Sequence, residues 1–150
     1  MSILHADYAE ISAVGNTTAT VISVGGTAVQ VLIFDTNGPA RDSIPDHTND
    51  HITIARTKTY LIMVSATVNS VAGGGSKFEM TVQKNNGFAL VGALHCDRNM
   101  AGGGSTAGVI SMSGLAALTV GDTLEVWIEN ETGTENYVVE DITLSILQVN

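Results

Sequence analysis

Cysteine is nearly absent from this chain. Cys96 stands alone, so no disulfide within the chain can brace the fold, and packing must hold it. Charge is scarce too, at 14% of 150 residues against about 25% in ordinary soluble proteins. A membrane segment or a surface hidden in an assembly would each account for so few charges. No apolar run approaches the ~18 residues of a spanning helix, which removes the first explanation and leaves assembly. Basic residues are the rarest charges, six Lys plus Arg against fifteen Asp plus Glu, for a net charge of −9. Arg41, Arg56, Lys58, Lys77, Lys84 and Arg98 are scattered, so neither nucleic acid nor membrane is an expected partner. Met1 to Asp7 lacks the basic start and apolar core of a secretory signal, so synthesis in a cytoplasm is expected. Proline is limited to two residues while glycine reaches 16, which leaves turns to glycines with positive φ.

What the chain does have is alternation. Leu124, Val126 and Ile128 interleave with Thr123, Glu125, Trp127 and Glu129, the period of two by which a strand buries one face. Apolar, β-branched runs recur at Tyr8–Val14, Thr17–Val24, Thr27–Phe34, His51–Ala55, Tyr60–Val68, Phe78–Lys84, Phe88–Leu94, Val109–Leu115, Thr123–Asn130 and Tyr137–Val149. Turn residues such as Asn37-Gly38-Pro39, Asn85-Asn86-Gly87 and Gly121-Asp122 separate them, and no segment keeps a helical period. About ten short strands with turns between predict an all-β sandwich or barrel, a single domain over 1–150. Asp35 to Asp50 is long and polar, and is expected to cross between sheets or run over the surface. Simple reversals would gather 71–76, 96–106 and 131–136 at one pole. They would put the Asn85-Asn86-Gly87 and Val120-Gly121-Asp122 turns at the other, near the C-terminus.

Two strands are apolar on both faces. Tyr60, Ile62, Val64, Ala66 and Val68 form one face of their strand, and Leu61 and Met63 begin the other. In the last strand Ile142, Leu144 and Ile146 point one way, Leu147 and Val149 the other. An antiparallel strand of a lone sandwich should be wet on one side, so a subunit interface is expected, with a bound ligand or covering loop as the alternative. The only Trp, Trp127, falls on the nominally wet side of its strand, where another chain is expected to cover it.

Chemistry is thin. Asp46-His47-Thr48-Asn49-Asp50-His51 is the one cluster that resembles a ligand set, yet the His47–His51 spacing suits a helix and this is a loop. Asp46 and Asp50 are the weak metal candidates; the alternative is a solvated loop with local backbone hydrogen bonds. The Gly-rich runs 72–77 and 101–106 lack the spacing of a phosphate loop. In His95-Cys96-Asp97 successive side chains point to opposite faces, so no nucleophile pair is expected. Asn16-Thr17-Thr18 and Asn130-Glu131-Thr132 fit glycosylation acceptors by accident. No cofactor and no enzymatic activity are expected.

Taken in order, Phe34-Asp35, His51-Ile52-Thr53-Ile54, Thr57 to Ala66, Val82-Gln83-Lys84-Asn85-Asn86-Gly87 and Val120-Gly121-Asp122-Thr123-Leu124-Glu125-Val126, closed by Leu144-Ser145-Ile146-Leu147, form one pattern. It resembles the compact jelly roll of the tumour-necrosis-factor and complement globular-head superfamily over 27–149. Thr59 stands where that family places Gly before the strand's Tyr. The resemblance implies a jelly-roll sandwich assembled as a threefold homotrimer. Tyr60, Leu61, Ile62, Met63, Trp127, Leu147 and Val149 are the expected interface. With no collagen repeat, coiled-coil stalk or anchor expected, the chain looks like a bacteriophage capsid decoration (cement) protein. Such a protein would bind a major capsid protein on the virion exterior, with residues 1–20 as a contacting arm. The alternative is a receptor- or carbohydrate-binding head of a phage fibre, using polar loops that include Asp97, Arg98, Glu131 and Glu135.

Overall fold

A computed structural model describes residues 5–22, 24–71, 75–87, 89–100 and 107–149, leaving aside the side chain of Ala93. Residues 1–4 of the expected arm, Phe88, and 72–74 and 101–106 of the Gly-rich runs lie outside the described residues.

The described chain is all β. Its strands are β1 (Tyr8–Ala13), β2 (Val29–Gln30), β3 (Thr36–Asn37), β4 (Ile44–Asp46), β5 (His51–Thr53), β6 (Lys58–Ser70), β7 (Ser76–Lys84), β8 (Ala89–Met100), β9 (Ala107–Leu118), β10 (Thr123–Asn130) and β11 (Tyr137–Gln148). Sheet I is five-stranded in the order β3-β1-β11-β6-β9. Sheet II is six-stranded, β4-β5-β10-β7-β8, with β2 also paired to β10. All described pairings are antiparallel, and apart from the β4–β5 and β7–β8 hairpins the neighbours are distant in sequence, the wiring of a jelly roll.

Alternation decides which side chains fill the space between the sheets. From β6 come Tyr60, Ile62, Val64, Ala66 and Val68; from β10, Leu124, Val126 and Ile128; from β11, Ile142, Leu144 and Ile146. Val139 is also buried although it lies an odd three positions before Ile142, because a register shift between Val139 and Asp141 inserts one extra residue. Two aromatic rings close one end of the core. Phe78 and Tyr137 meet edge to face at 4.8 Å, and Tyr137 OH donates to Ser76 Oγ at 2.7 Å.

At the other end a buried carboxylate fastens the first strand to the core. Asp7 accepts from Ser43 N (2.8 Å), Ser43 Oγ (2.8 Å) and Tyr60 OH (2.6 Å). Burial, reinforced by the Asp7 charge, pushes the Tyr60 hydroxyl above its ordinary pKa, so it stays a donor. Residues 5–20 are therefore no free arm. β1 lies inside sheet I, Asn16 N donates to Glu140 O, and Thr20 pairs with Tyr137, so backbone hydrogen bonds claim the segment.

Two of the expected runs change shape. The described residues 17–22 and 24 are irregular apart from the Thr20 bridge, and Thr27–Phe34 keeps only the two residues of β2. The long 35–50 segment instead contributes β3 and β4, at the edges of sheets I and II. The poles fall as alternation predicts for the described residues. Val71 N donates to Asn136 O and Glu131 N to Lys77 O at one end; Asn85 N donates to Thr123 O at the other.

Candidate functional site

The outward face of sheet I carries a continuous row of partly unburied apolar side chains. Register places Tyr8 opposite Leu147, Leu147 opposite Leu61, and Leu61 opposite Leu115, one row across β1, β11, β6 and β9. The next row is Glu10, Ser145, Met63 and Ser113, followed by Ser12, Thr143, Ser65 and Ser111. Leu115 is 62% exposed, and Met63, Leu147 and Val149 are each about 40% exposed. The only charge in these rows, Glu10, accepts from Ser145 Oγ at 2.8 Å. One half of the face is thus apolar and the other half small and uncharged.

The row continues around a corner of the sandwich. β9 is the edge strand of sheet I, and its 12 residues, AGVISMSGLAAL, contain neither charge nor proline. Natural edge strands usually carry such residues because an open edge invites pairing. β9 packs beside β8, the edge of sheet II, and between them runs an open groove of about 300 Å³ lined by Lys84, Leu90–Gly92 and Leu115–Leu118. Leu90 on its β8 side is 59% exposed.

The expected interface set is split by this geometry. Leu61, Met63, Leu147 and Val149 lie on the outward side of sheet I or at its end. Tyr60 and Ile62 are fully buried between the sheets, which corrects their placement: alternation turns them to the opposite face from Leu61 and Met63. Trp127 is on the outer face of sheet II and its cover is the chain's own hairpin. Its Cζ2 and Cη2 press so closely on Gly87 that a Cβ there would lie 2.8 Å away. The indole N–H is occluded with no acceptor. The β7–β8 turn reaches Trp127 through β7–β10 pairing and leaves it half-buried.

That hairpin is tied down by the two motifs read from the sequence. Asn85 and Asn86 adopt φ of 58° and 60°, and Gly87 75°. Asp122 accepts from Lys84 Nζ, Asn85 Nδ2 and Thr119 N, each at 3.0 Å. Asn85 Oδ1 accepts from Thr123 N, and buried Glu125 accepts from Asn86 N and Thr123 Oγ1. Burial pushes the Asp122 carboxyl up. Its hydrogen bonds from Asn85, Thr119 and Lys84, with the Lys84 charge, more than offset this and hold it below the usual carboxylate value.

The proposed ligand loop is structural. Asp46 Oδ1 accepts from Thr48 N and Asn49 N, and its Oδ2 from Asn49 Nδ2, a self-contained Asx turn that lowers its pKa. Asp50, with φ of 54°, is buried and accepts from Phe34 N at 2.8 Å; burial raises its pKa. Asp46 and Asp50 thus act as acceptors within the loop, and among the described residues neither belongs to a group of three or more ligand atoms close enough to share an ion. Asn130 is fully buried and donates to Glu135, so it cannot serve as a sugar acceptor.

Outer-facing polar groups gather elsewhere, on sheet II. Trp127, Thr81 and His95 form one row across β10, β7 and β8, and Glu129, Glu79 and Asp97 the next. His95 Nε2 lies 2.9 Å from Asp97 Oδ1 and 3.4 Å from Glu79 Oε2. Lys77 Nζ bridges Asp97 Oδ2 (2.8 Å) and Glu131 Oε1 (2.7 Å). The Lys77 hydrogen bond holds Asp97 below its ordinary pKa, while burial, then the neighbouring Glu131 and Glu129 carboxylates, push Glu79 up. Cys96 turns to the other face, where burial raises its thiol pKa, the reverse of an activated nucleophile. Arg98 donates to Val109 O beside Gly108, and Glu135 is bound to Asn130, so of the four polar residues expected at one contact surface only Asp97 and Glu131 meet, through Lys77.

No protein-family model matches the sequence, and no curated protein matches it. Solved structures do match the backbone. Eiger, a TNF from S. frugiperda, is similar with a TM-score of 0.67 at 14% identity, covering 95% of this chain and 92% of that one. Murine APRIL, in structures at pH 5.0 and pH 8.0, is similar with a TM-score of 0.63 in each, at 13% and 14% identity, covering 97% of this chain and 100% of the other. The fold is a TNF-like jelly roll.

Proposed function

We propose that this protein works as a non-catalytic homotrimeric head. The observation that carries the reading is the charge-poor outer face of sheet I, where Glu10 is the only charge in the three rows and the apolar Tyr8–Leu147–Leu61–Leu115 row runs into the uncharged β9 strand. A face meeting an edge is a heterologous contact, and such contacts close into rings when the rotation permits. Covering the exposed halves of Leu115, Leu90, Met63 and Leu147 would contribute roughly 1 kcal/mol each, about half the ~1.5–3 kcal/mol of complete burial. Light scattering on the purified chain tests this. The expected mass is three times 15.6 kDa, falling toward one chain in Leu61→Asp, while a wild-type monomer at micromolar concentration rejects the trimer.

Within that reading, we assign the head to capsid decoration. A compact, acidic, threefold unit fits the local threefold positions of a virion exterior and would bridge neighbouring copies of a major capsid protein. Sedimentation with undecorated capsids is the test: saturation at a fixed ratio supports decoration, and binding to host cells alone supports a receptor- or carbohydrate-binding fibre head. The convergence of Lys77, Asp97 and Glu131 on one polar face favours that second reading.

A further inference from the structure

The polar face of sheet II carries a second inference, independent of assembly. We propose that His95, Asp97 and Glu79 form a divalent metal site of the zinc class. His95 and Asp97, two apart on β8, share one face by strand periodicity, and pairing sets Glu79 directly opposite Asp97. The three ligand atoms lie within 4.8 Å of one another. The Nε2–Oδ1 and Nε2–Oε2 separations, 2.9 and 3.4 Å, bracket the ~3.3 Å between ligands of a tetrahedral ion with bonds of about 2.0–2.1 Å. Two of the three separations are therefore already close to those of a coordinated ion, and His95 and Asp97 are open to solvent.

Each ligand has its support. Asp97 keeps Oδ2 on Lys77, which orients the carboxylate and leaves Oδ1 for the ion. Glu79 is mostly covered, and its other neighbours are the carboxylates of Glu129 and Glu131, again within 4.8 Å. The backbone register forces a further feature: Glu129, Glu79 and Asp97 are directly opposed across three strands. Like charges opposed in this way destabilise a sheet, and a bound cation relieves the repulsion. An imidazole with two carboxylates suits zinc-class ions, whereas calcium would require six or more oxygens. Cys96 takes no part, since its side chain lies on the opposite face from His95 and Asp97.

The test uses the full chain, stripped with chelator and titrated with zinc chloride by calorimetry near neutral pH. Saturable binding of one ion per chain is expected, weakened about tenfold or more in His95→Ala and in Asp97→Asn, and unchanged in His51→Ala. Cobalt provides a second readout. Trp127 is two strands from His95, about 10 Å away, so cobalt binding should quench the chain's only Trp in wild type and not in His95→Ala. The His95 side chain is 49% exposed, so its removal leaves the core intact, which far-UV circular dichroism would verify. Absence of saturable zinc binding, equal affinity in wild type and His95→Ala, or loss of binding in His51→Ala would each overturn the proposal.

Discussion

At the scale of single residues, the pairing of Gly87 with Trp127 shows how a backbone position and a side chain can depend on each other. Gly87 is required twice over, by its φ of 75° and by the indole pressed against the space a Cβ would fill. Gly87→Ala should destabilise the fold by about 1–3 kcal/mol from strain in the left-handed region alone, with the clash added. In a Trp127→Ala background the clash disappears and the strain remains, so the same substitution should cost less. Urea denaturation of the four proteins in that cycle measures the coupling; additive effects would show that ring and turn do not press on each other. The alternation around Trp127 was legible from sequence, because burial of Leu124, Val126 and Ile128 fixes which way the intervening side chains point. What lay above the ring was not, since a turn some forty residues earlier provides it.

At the scale of elements, Asp122 joins the β7–β8 hairpin to the β9–β10 turn. Both motifs stood out in the sequence as separate turns; only the seven-residue register between β7 and β10 brings Lys84 and Asn85 to Asp122. Asp122→Ala should cost about 1–3 kcal/mol at neutral pH by leaving those donors without their acceptor. Its pH dependence has a definite sign. A carboxyl whose folded pKa lies below the unfolded value of 3.8 contributes stability that is fully present above that value and lost as pH falls through the folded pKa. The gap between wild type and Asp122→Ala in urea midpoint should stay constant from neutral pH to about pH 5 and narrow below about pH 4. A gap that widens on acidification would mean that the charge of Asp122 is unfavourable in the folded state.

At the scale of the molecule, the two outer faces differ in kind: sheet I is poor in charge and apolar at one pole, whereas sheet II carries opposed carboxylates, a His and a Lys. If sheet I is covered by neighbouring copies, folding and association are linked and the melting temperature must rise with protein concentration. Melting measured over a hundredfold dilution series checks this; a concentration-independent midpoint would place the apolar row on the surface of a stable monomer.

Local pattern was enough for the all-β class, the strands that fill the core, the turn residues at the two poles and the separation of Tyr60 from Leu61 on opposite faces of β6. All of these follow from periodicity and composition, which operate within a few residues. Only the assembled fold showed that the Tyr60 side faces inward and the Leu61 side outward, that residues 5–20 are built into the sandwich, and that Glu79, Glu129, His95 and Asp97 share one patch. Jelly-roll neighbours are distant in sequence, and a shift of one residue in pairing would exchange every inward side chain for an outward one. The chain thus announces that greasy and acidic surface exists, while the long-range register decides where each lies: β6 paired one residue out of step would undo the apolar assignment, and β7 out of step the acidic one.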